Sequence, residues 1–389
     1  MASQLHRTSW AVILLAALAS FSQAQTFTPI YSFGASPDGS NPQSPLIADS
    51  KGNGYGTTYY GGANGYGTVF KVDNTGKESV IFDFDGANGA NPSGTLTMDS
   101  AGNLYGTTVW GGSFNLGVIF KFDTSEQEFA LYNFAGGNDG ANPESGLVAD
   151  SSGNVYGTTE AGGTGSGCGY LGCGTVFKFN LLGTETVLHT FTGDNNGVTD
   201  GATPWGGVIL DSAGNLYGTT VFGGMAGYGT IYKINTTGTE TLLHSFAGTD
   251  GAYPYAALIA DAAGNFYGTA YEGGPARVGT VFKLNQDQKT TVMHAFAGGS
   301  DGAYPAAGLL LDSAGNLYGT TVQGGSHADY GTVFKVNASG VETILHSFTG
   351  GAGGLSPQAG LISDKAGNLY GTTYYGGKSN NGLIFRLKP

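Results

Sequence analysis

The chain has 389 residues, 71 of them glycine, roughly 18% against a usual share of about 7%. Tyr and Phe number 22 each and charged residues make up only 11%, which excludes a disordered polyelectrolyte; scarce proline and the lack of a three-residue glycine period exclude collagen. The net charge of −13 argues against nucleic acid or an anionic membrane surface as partner.

The chain opens on a segment that reads as an export leader. His6 and Arg7 precede an apolar run from Trp10 to Ala19, and Ser22-Gln23-Ala24 forms a small-x-small cleavage site before Gln25. Residues 1–24 are expected to be a signal peptide, its apolar run too short for a membrane span. No later stretch has the length of a span, no cysteine for a lipid anchor lies near the cleavage site, and no tail anchor is recognised at the end. Residues 25–389 are expected to form one exported, soluble, monomeric domain.

After the leader comes a strand candidate, Phe27-Thr28-Pro29-Ile30-Tyr31-Ser32-Phe33, and then a repeat. Asp-x-x-Gly-Asn-x-Tyr-Gly-Thr-Thr begins at Asp49, Asp99, Asp150, Asp211, Asp261, Asp312 and Asp364, with Ala270 in place of the last Thr of the fifth copy. Its tyrosines are spaced 50, 51, 61, 50, 51 and 52 residues apart, a period of propellers, solenoids or arrays. Each unit offers four short strands. In the sixth they are Gly308–Asp312, Asn316–Thr321, Gly331–Lys335 and Glu342–Phe348, separated by Gly and Asn/Asp turns. The seventh unit stops after its third strand, and the missing fourth stands before unit one. The fold class is therefore all-β: a seven-bladed β-propeller of four-stranded antiparallel blades, with the last blade closed by the N-terminal strand.

The recurring residues have packing explanations. Asp-x-x-Gly-Asn suits a turn in which the Asp accepts backbone N–H groups and the Gly takes positive φ; a cation held by these oxygens is the lesser alternative. Gly56, Gly106, Gly157, Gly218, Gly268, Gly319 and Gly371 follow the repeat tyrosine and are expected to make room for an aromatic from the neighbouring blade. Lys71, Lys121, Lys178, Lys233, Lys283, Lys335 and Arg386 recur on the third strand, and seven positions on stand Glu78, Glu128, Glu185, Glu240, Thr290 and Glu342. That separation predicts cross-strand ion pairs, with Phe27 opposite Arg386 in the closing blade. His189, His244, His294 and His346 share a position with Tyr31, Phe82 and Tyr132, so it reads as an aromatic slot rather than a metal ring. Cys168 and Cys173 in unit three are expected to form a disulfide. No metal and no cofactor is assigned; the Asp194–Asp200 segment reads as a polar loop, with calcium as its alternative.

Taken together, the Asp-Ser-Ala-Gly-Asn-Leu-Tyr-Gly-Thr-Thr run, Gly-Thr-Val-Phe-Lys and Leu-His-Ser-Phe resemble the GloVer tandem repeat, over essentially residues 25–389. The resemblance implies an exported bacterial repeat scaffold at the cell exterior, with varied C-terminal anchors and no established activity. This chain departs from it in lacking a recognisable anchor.

In an antiparallel blade one face collects the loops between strands two and three and the crossovers to the next blade. That face carries the variety. After Thr-Thr stand Tyr59-Tyr60, Val109-Trp110, Glu160-Ala161, Val221-Phe222, Tyr271-Glu272, Val322-Gln323 and Tyr374-Tyr375. After the crossover proline stand Gln43, Ser93, Glu144, Trp205, Tyr255, Ala306 and Gln358, expected near the channel mouth. Candidate ligand-binding residues are Tyr60, Trp110, Glu144, Trp205, Phe222, Tyr255 and Tyr375, with a carbohydrate or a cell-surface protein as partner. No residue is assigned as catalytic in this non-enzymatic binding or adhesion reading. Its alternative is a polysaccharide lyase or hydrolase using Glu144, Glu160 and Glu272 at the mouth.

Overall fold

Pairing between the two ends of the chain sets the architecture. In the computed structural model, Thr26–Ser32 lies antiparallel to Leu383–Lys388, with Thr26 opposite Lys388 and Ser32 opposite Leu383. Phe33 N–H continues the ladder onto the Gly382 carbonyl at 3.0 Å. The structure describes residues 25–389 except Ala35, Ser166, 194–199 and Ala328, so the expected leader lies outside the described residues. Seven four-stranded antiparallel sheets follow one another, and the seventh takes its outer strand from the N-terminal segment. The protein is a seven-bladed β-propeller. We number the blades I to VII from the sheet of Ile47–Ala48, Gly54–Thr58, Thr68–Val72 and Glu78–Asp83. Among the described residues, no helix is long and apolar enough to cross a membrane.

Aromatic pairs between blades form the core. The Phe that ends each outer strand packs against the third-strand ring of the next blade: Phe33 on Phe70 at 5.1 Å, Phe191 on Tyr232 at 5.0 Å, Phe348 on Phe385 at 5.4 Å, with like pairs at the other four seams. Each pair is worth about 0.5–1.5 kcal/mol beyond the area it buries. The repeat glycine is explained here, with a correction to the expected partner. A Cβ at Gly319 would lie 2.6 Å from Phe334 Cζ, and Phe334 is its cross-strand partner in the same blade. The glycine makes room for its own blade's ring, which then meets the neighbour's Phe.

The Lys/Glu expectation is also corrected. Lys71 pairs with Ser79, and Glu78 faces Val72, one residue out of register. A one-residue offset sends two side chains to opposite faces of a sheet, so no cross-strand ion pair forms. The closing blade shows the same offset, with Arg386 opposite Thr28 and Leu387 opposite Phe27. Each lysine instead lies over the repeat tyrosine of its own blade, with Nζ 5.4–5.7 Å from the ring centroid in six blades. The glutamates point between blades. One oxygen each of Glu78, Glu128, Glu185 and Glu342 is buried without a hydrogen-bond partner. Burial first, and then Asp38, Asp139 or Asp301 nearby, push Glu78, Glu185 and Glu342 up to about 7.

Beside these carboxyls sits the His/aromatic slot. The Tyr31 and Tyr132 hydroxyls donate to Asp38 and Asp139, and His244 and His294 meet Asp250 and Asp301 at 2.8 and 3.3 Å. Where Phe27 takes the Glu position, it stacks on His346 at 4.1 Å, and burial lowers that histidine to about 4. Among the described residues one set could share a cation: His294, Asp301 and Glu342, with ligand atoms within 4.8 Å of one another. Tyrosine fills the same slot with the same contact to Asp in two other blades, so the repeated element is a ring-to-carboxylate contact.

The turn between the first two strands behaves as its composition predicts. Asp312 Oδ1 accepts the Ala314 and Asn316 backbone N–H groups, and Oδ2 accepts the Asn316 amide and the Tyr318 hydroxyl, while Gly315 takes φ +81. Burial opposes ionisation of Asp312, but these donors outweigh it and hold its carboxyl below the usual range, as in the other six turns. Donors thus take up both oxygens. Cys168 and Cys173 are joined, with Cα atoms 5.2 Å apart, and clip the long loop of blade III. Most of the Asp194–Asp200 segment lies outside the described residues; Asp200 itself accepts the Thr192 and Gly201 backbone N–H groups.

Candidate functional site

The opposite face carries the channel mouth. Each crossover delivers a proline to the rim, where it packs on a glycine of the preceding blade: a Cβ on Gly174 would lie 2.5 Å from Pro204 Cδ, and one on Gly382 2.7 Å from Pro42 Cδ. The residue after each proline then points to the axis. All seven of these, Gln43, Ser93, Glu144, Trp205, Tyr255, Ala306 and Gln358, line one cavity of about 390 Å³, together with Tyr271 and Val322. Below it the bore is lined largely by small residues, among them Gly94, Gly146, Gly206, Ala256 and Gly308, and neighbouring crossovers nearly touch. A Cβ on Gly94 would lie 2.4 Å from the Ser145 carbonyl oxygen. Larger side chains have room only at the rim.

The rim is two-sided. Trp205 and Tyr255 lie with ring centroids 4.8 Å apart, Tyr255 and Tyr271 at 5.1 Å, and Tyr271 and Tyr304 at 5.0 Å, so blades IV to VI supply an aromatic wall. Across from it, Gln43, Ser93, Glu144 and Gln358 offer amide, hydroxyl and carboxyl groups. The Trp205 indole N–H is buried without a hydrogen-bond partner. It lies close enough to Glu160 to favour the ionised carboxylate, although burial has the larger effect and raises Glu160. Glu144 is half-buried at the cavity wall, and burial followed by the charge of Glu160 pushes it up to about 7. The field of these acids reaches the tyrosines. Tyr59 rises to about 12, first through burial and then through Glu144; Tyr255 and Tyr271 are raised by burial and, among the charges, by Glu272.

Of the seven candidate binding residues, Glu144, Trp205 and Tyr255 line the mouth cavity. Tyr60, Trp110, Phe222 and Tyr375 lie farther out on the same face, 41–47% exposed. They are held by short pairings with the incoming crossover, Trp110 with Ala90, Phe222 with Ala202 and Tyr375 with Leu355. Of the three acids, Glu272 sits in this outer ring, bridged to Ala252, while Glu144 and Glu160 act on each other. The residue that sequence reasoning left out of the site is Tyr271. The first position after Thr-Thr turns toward the axis and the second turns outward, an alternation that period two predicts and that would have selected Tyr59, Tyr271 and Tyr374.

The Thr-Thr pair itself holds the rim. Thr107, Thr269 and Thr320 donate to crossover carbonyls of the next blade, Ser145, Ala307 and Ala359, at 2.8–3.1 Å. The second Thr caps its own loop, as Thr321 does by donating to the Gln323 carbonyl at 2.8 Å. The mouth is thus mounted on a rigid ring.

The repeat pattern of one family, the Gloeobacter/Verrucomicrobia repeat, matches residues 17–171 and 166–385. The chain belongs to that family. Comparison with curated proteins gives no match for this repeat protein. Its fold is similar to that of virginiamycin B lyase from Staphylococcus aureus, at 13% identity and TM-score 0.60, covering 94% of this chain and 99% of the lyase. A streptogramin B lyase structure matches equally, at 13% identity and TM-score 0.60, covering 94% and 97%. The extracellular domain of a one-component system from B. thetaiotaomicron follows at 11% identity and TM-score 0.60, covering 93% of this chain and 40% of that one. At such identities the likeness is one of fold.

Proposed function

We propose that this repeat propeller is an exported, non-enzymatic binding protein that takes a carbohydrate at the channel mouth. One observation carries the reading: seven blades each send the residue after a proline to a single cavity, and there the repeat diversifies into an aromatic wall facing a polar arc. Aromatic rings offer flat apolar faces to the C–H side of a sugar ring, and amides, hydroxyls and carboxyls pair with its hydroxyls. The export-leader pattern of residues 1–24, the Cys168–Cys173 disulfide and the fold likeness to an extracellular domain support a location outside the cytoplasm. Glycan-array binding followed by calorimetry tests the proposal. Wild type is expected to bind at least one glycan class, and Trp205→Ala to weaken it about tenfold or more. Unchanged binding in Trp205→Ala overturns the mouth as the site.

A second reading is supported by Glu144 and Glu160. Two coupled carboxyls, one raised to about 7, suit acid–base chemistry on a polysaccharide, as in a lyase or hydrolase. Turnover of a polysaccharide by wild type, abolished in Glu144→Gln, would establish this reading and replace the non-enzymatic one.

A further inference from the structure

We infer that the mouth selects a saccharide bearing a protonated amine over its neutral counterpart, an inference that rests on the carbohydrate reading above. The cavity lining contains no Lys, Arg or His. Its charged member is Glu144, half-buried and lining the cavity, with Glu160 acting on it from the loop of the same blade. The groups turned toward Glu144 are Glu160, the Ser93 hydroxyl and Tyr59, none of which carries positive charge at neutral pH. A neutral sugar leaves Glu144 under the charge of Glu160, whereas an ammonium set against Glu144 in the cavity is attracted to its carboxylate and lies within the field of Glu160.

The opposite wall points the same way. Trp205, Tyr255 and Tyr271 line the cavity as a run of ring contacts, and aromatic rings attract cations as well as C–H groups. Glu272, although outside the cavity, adds its field at Tyr255 and Tyr271. Acids and rings on both sides, with no cation to answer them, form a site complementary to a positively charged ring. The chain's net charge of −13 also draws cations generally, so a test must separate the mouth from the surface.

An oligomer of glucosamine, its fully N-acetylated form and its N-trimethylated form share ring and linkage and differ in charge. Calorimetry at pH 7 and physiological salt is expected to show both cationic forms binding about tenfold more tightly than the acetylated one. Glu144→Gln is expected to bring that ratio to about unity, while Glu126→Gln, on an exposed turn, leaves it as in wild type. Because a bound cation favours the ionised carboxylate, the heat of binding of the trimethylated form should vary with buffer ionisation enthalpy, reporting proton release, and should cease to vary in Glu144→Gln. Acetylated oligomer bound as tightly as the cationic ones overturns the inference and leaves the carbohydrate reading standing. A cationic preference that persists in Glu144→Gln also overturns it, because the selectivity then belongs to the surface. Binding of none of the three defeats the inference, and a blank glycan array beside it defeats the carbohydrate reading too.

Discussion

The two faces of the wheel differ in loop length, with five residues between Ala48 and Gly54 on the turn face against nine between Thr58 and Thr68 on the mouth face, and they differ in how they treat polar atoms. On the turn face, Asp49 and its six counterparts each receive two backbone N–H groups, a side-chain amide and a tyrosine hydroxyl. Both carboxylate oxygens are matched, and the same Asp, Gly, Asn and Tyr recur around the ring. On the mouth face, the buried Trp205 N–H has no hydrogen-bond partner, Glu144 lies half-buried beside another acid, and the position after the proline holds six different residue types in seven blades, with only Gln43 and Gln358 alike. A saturated turn leaves nothing for a ligand to satisfy and is free to repeat. Polar and aromatic groups that change from blade to blade around one opening are where recognition is expected, and there the repeat gives way.

The comparison assigns stability to the repeated frame and binding to the mouth, and each half can be broken. The largest effect is expected at the closing seam. Phe33→Ala removes a fully buried ring packed on Phe70 and should cost about 3–5 kcal/mol in urea unfolding. Deleting residues 25–33 should abolish cooperative unfolding. Asp312→Ala strips four hydrogen bonds from one turn and should cost about 2 kcal/mol while leaving ligand affinity at the mouth unchanged. If affinity falls with it, the two faces are not independent.

A pH profile sharpens the frame's side of the comparison. Glu78, Glu185 and Glu342 are raised from 4.5 to about 7, so the folded chain holds protons that the unfolded chain releases. Their stabilisation is full below pH 4.5 and is lost as pH rises through 7. The turn aspartates run the other way, because their lowered values give stability that is present above 3.8 and lost in acid. His346, lowered from 6.5 to about 4, likewise costs stability only on the acid side of 6.5. The melting temperature should therefore fall between pH 5.5 and 8.5, and Glu→Gln at the three interblade positions should flatten that fall. A wild-type profile that is already flat rejects the buried-acid account.

Smaller effects separate neighbouring contacts. A double-mutant cycle between Lys335 and Tyr318 should give about 0.5–1 kcal/mol of coupling, and one between Lys335 and Glu342 close to none. Smallest of all, Trp205→Ala should change stability by less than about 1 kcal/mol, in contrast to its effect on binding.

How much of this could be read from residues alone follows the same division. The blade count, the split seventh blade, the turn aspartates and the disulfide are written as spacing and composition, because each is a local pattern repeated or completed along the chain. The Lys/Glu register is not, because it depends on how many residues the hairpin spends in its turn. With Val72 opposite Glu78, the lysine falls one place off and meets Tyr55 instead. Nor does the sequence mark the outer-strand irregularity between Val69 and Phe70, which turns Phe82 toward the seam. At the mouth, the position after the proline was legible as a ring. Which of the two residues after Thr-Thr faces the axis depends on strand alternation carried into the loop, and so Tyr60 was singled out where Tyr59 and Tyr271 stand closer to the chemistry.

Joining Thr26–Ser32 to Leu383–Lys388 also fixes when the molecule can become whole. The segment a ribosome makes early is the one that must be paired last, so blade VII stays a sheet with a bare edge until the final strand has left the exit tunnel. Until then the aromatic flank of blade I, Phe70 and its neighbours, has nothing to lie against. The wheel consequently closes only when both strands are present, and a chain lacking either of them would retain two sticky ends rather than form a slightly smaller wheel.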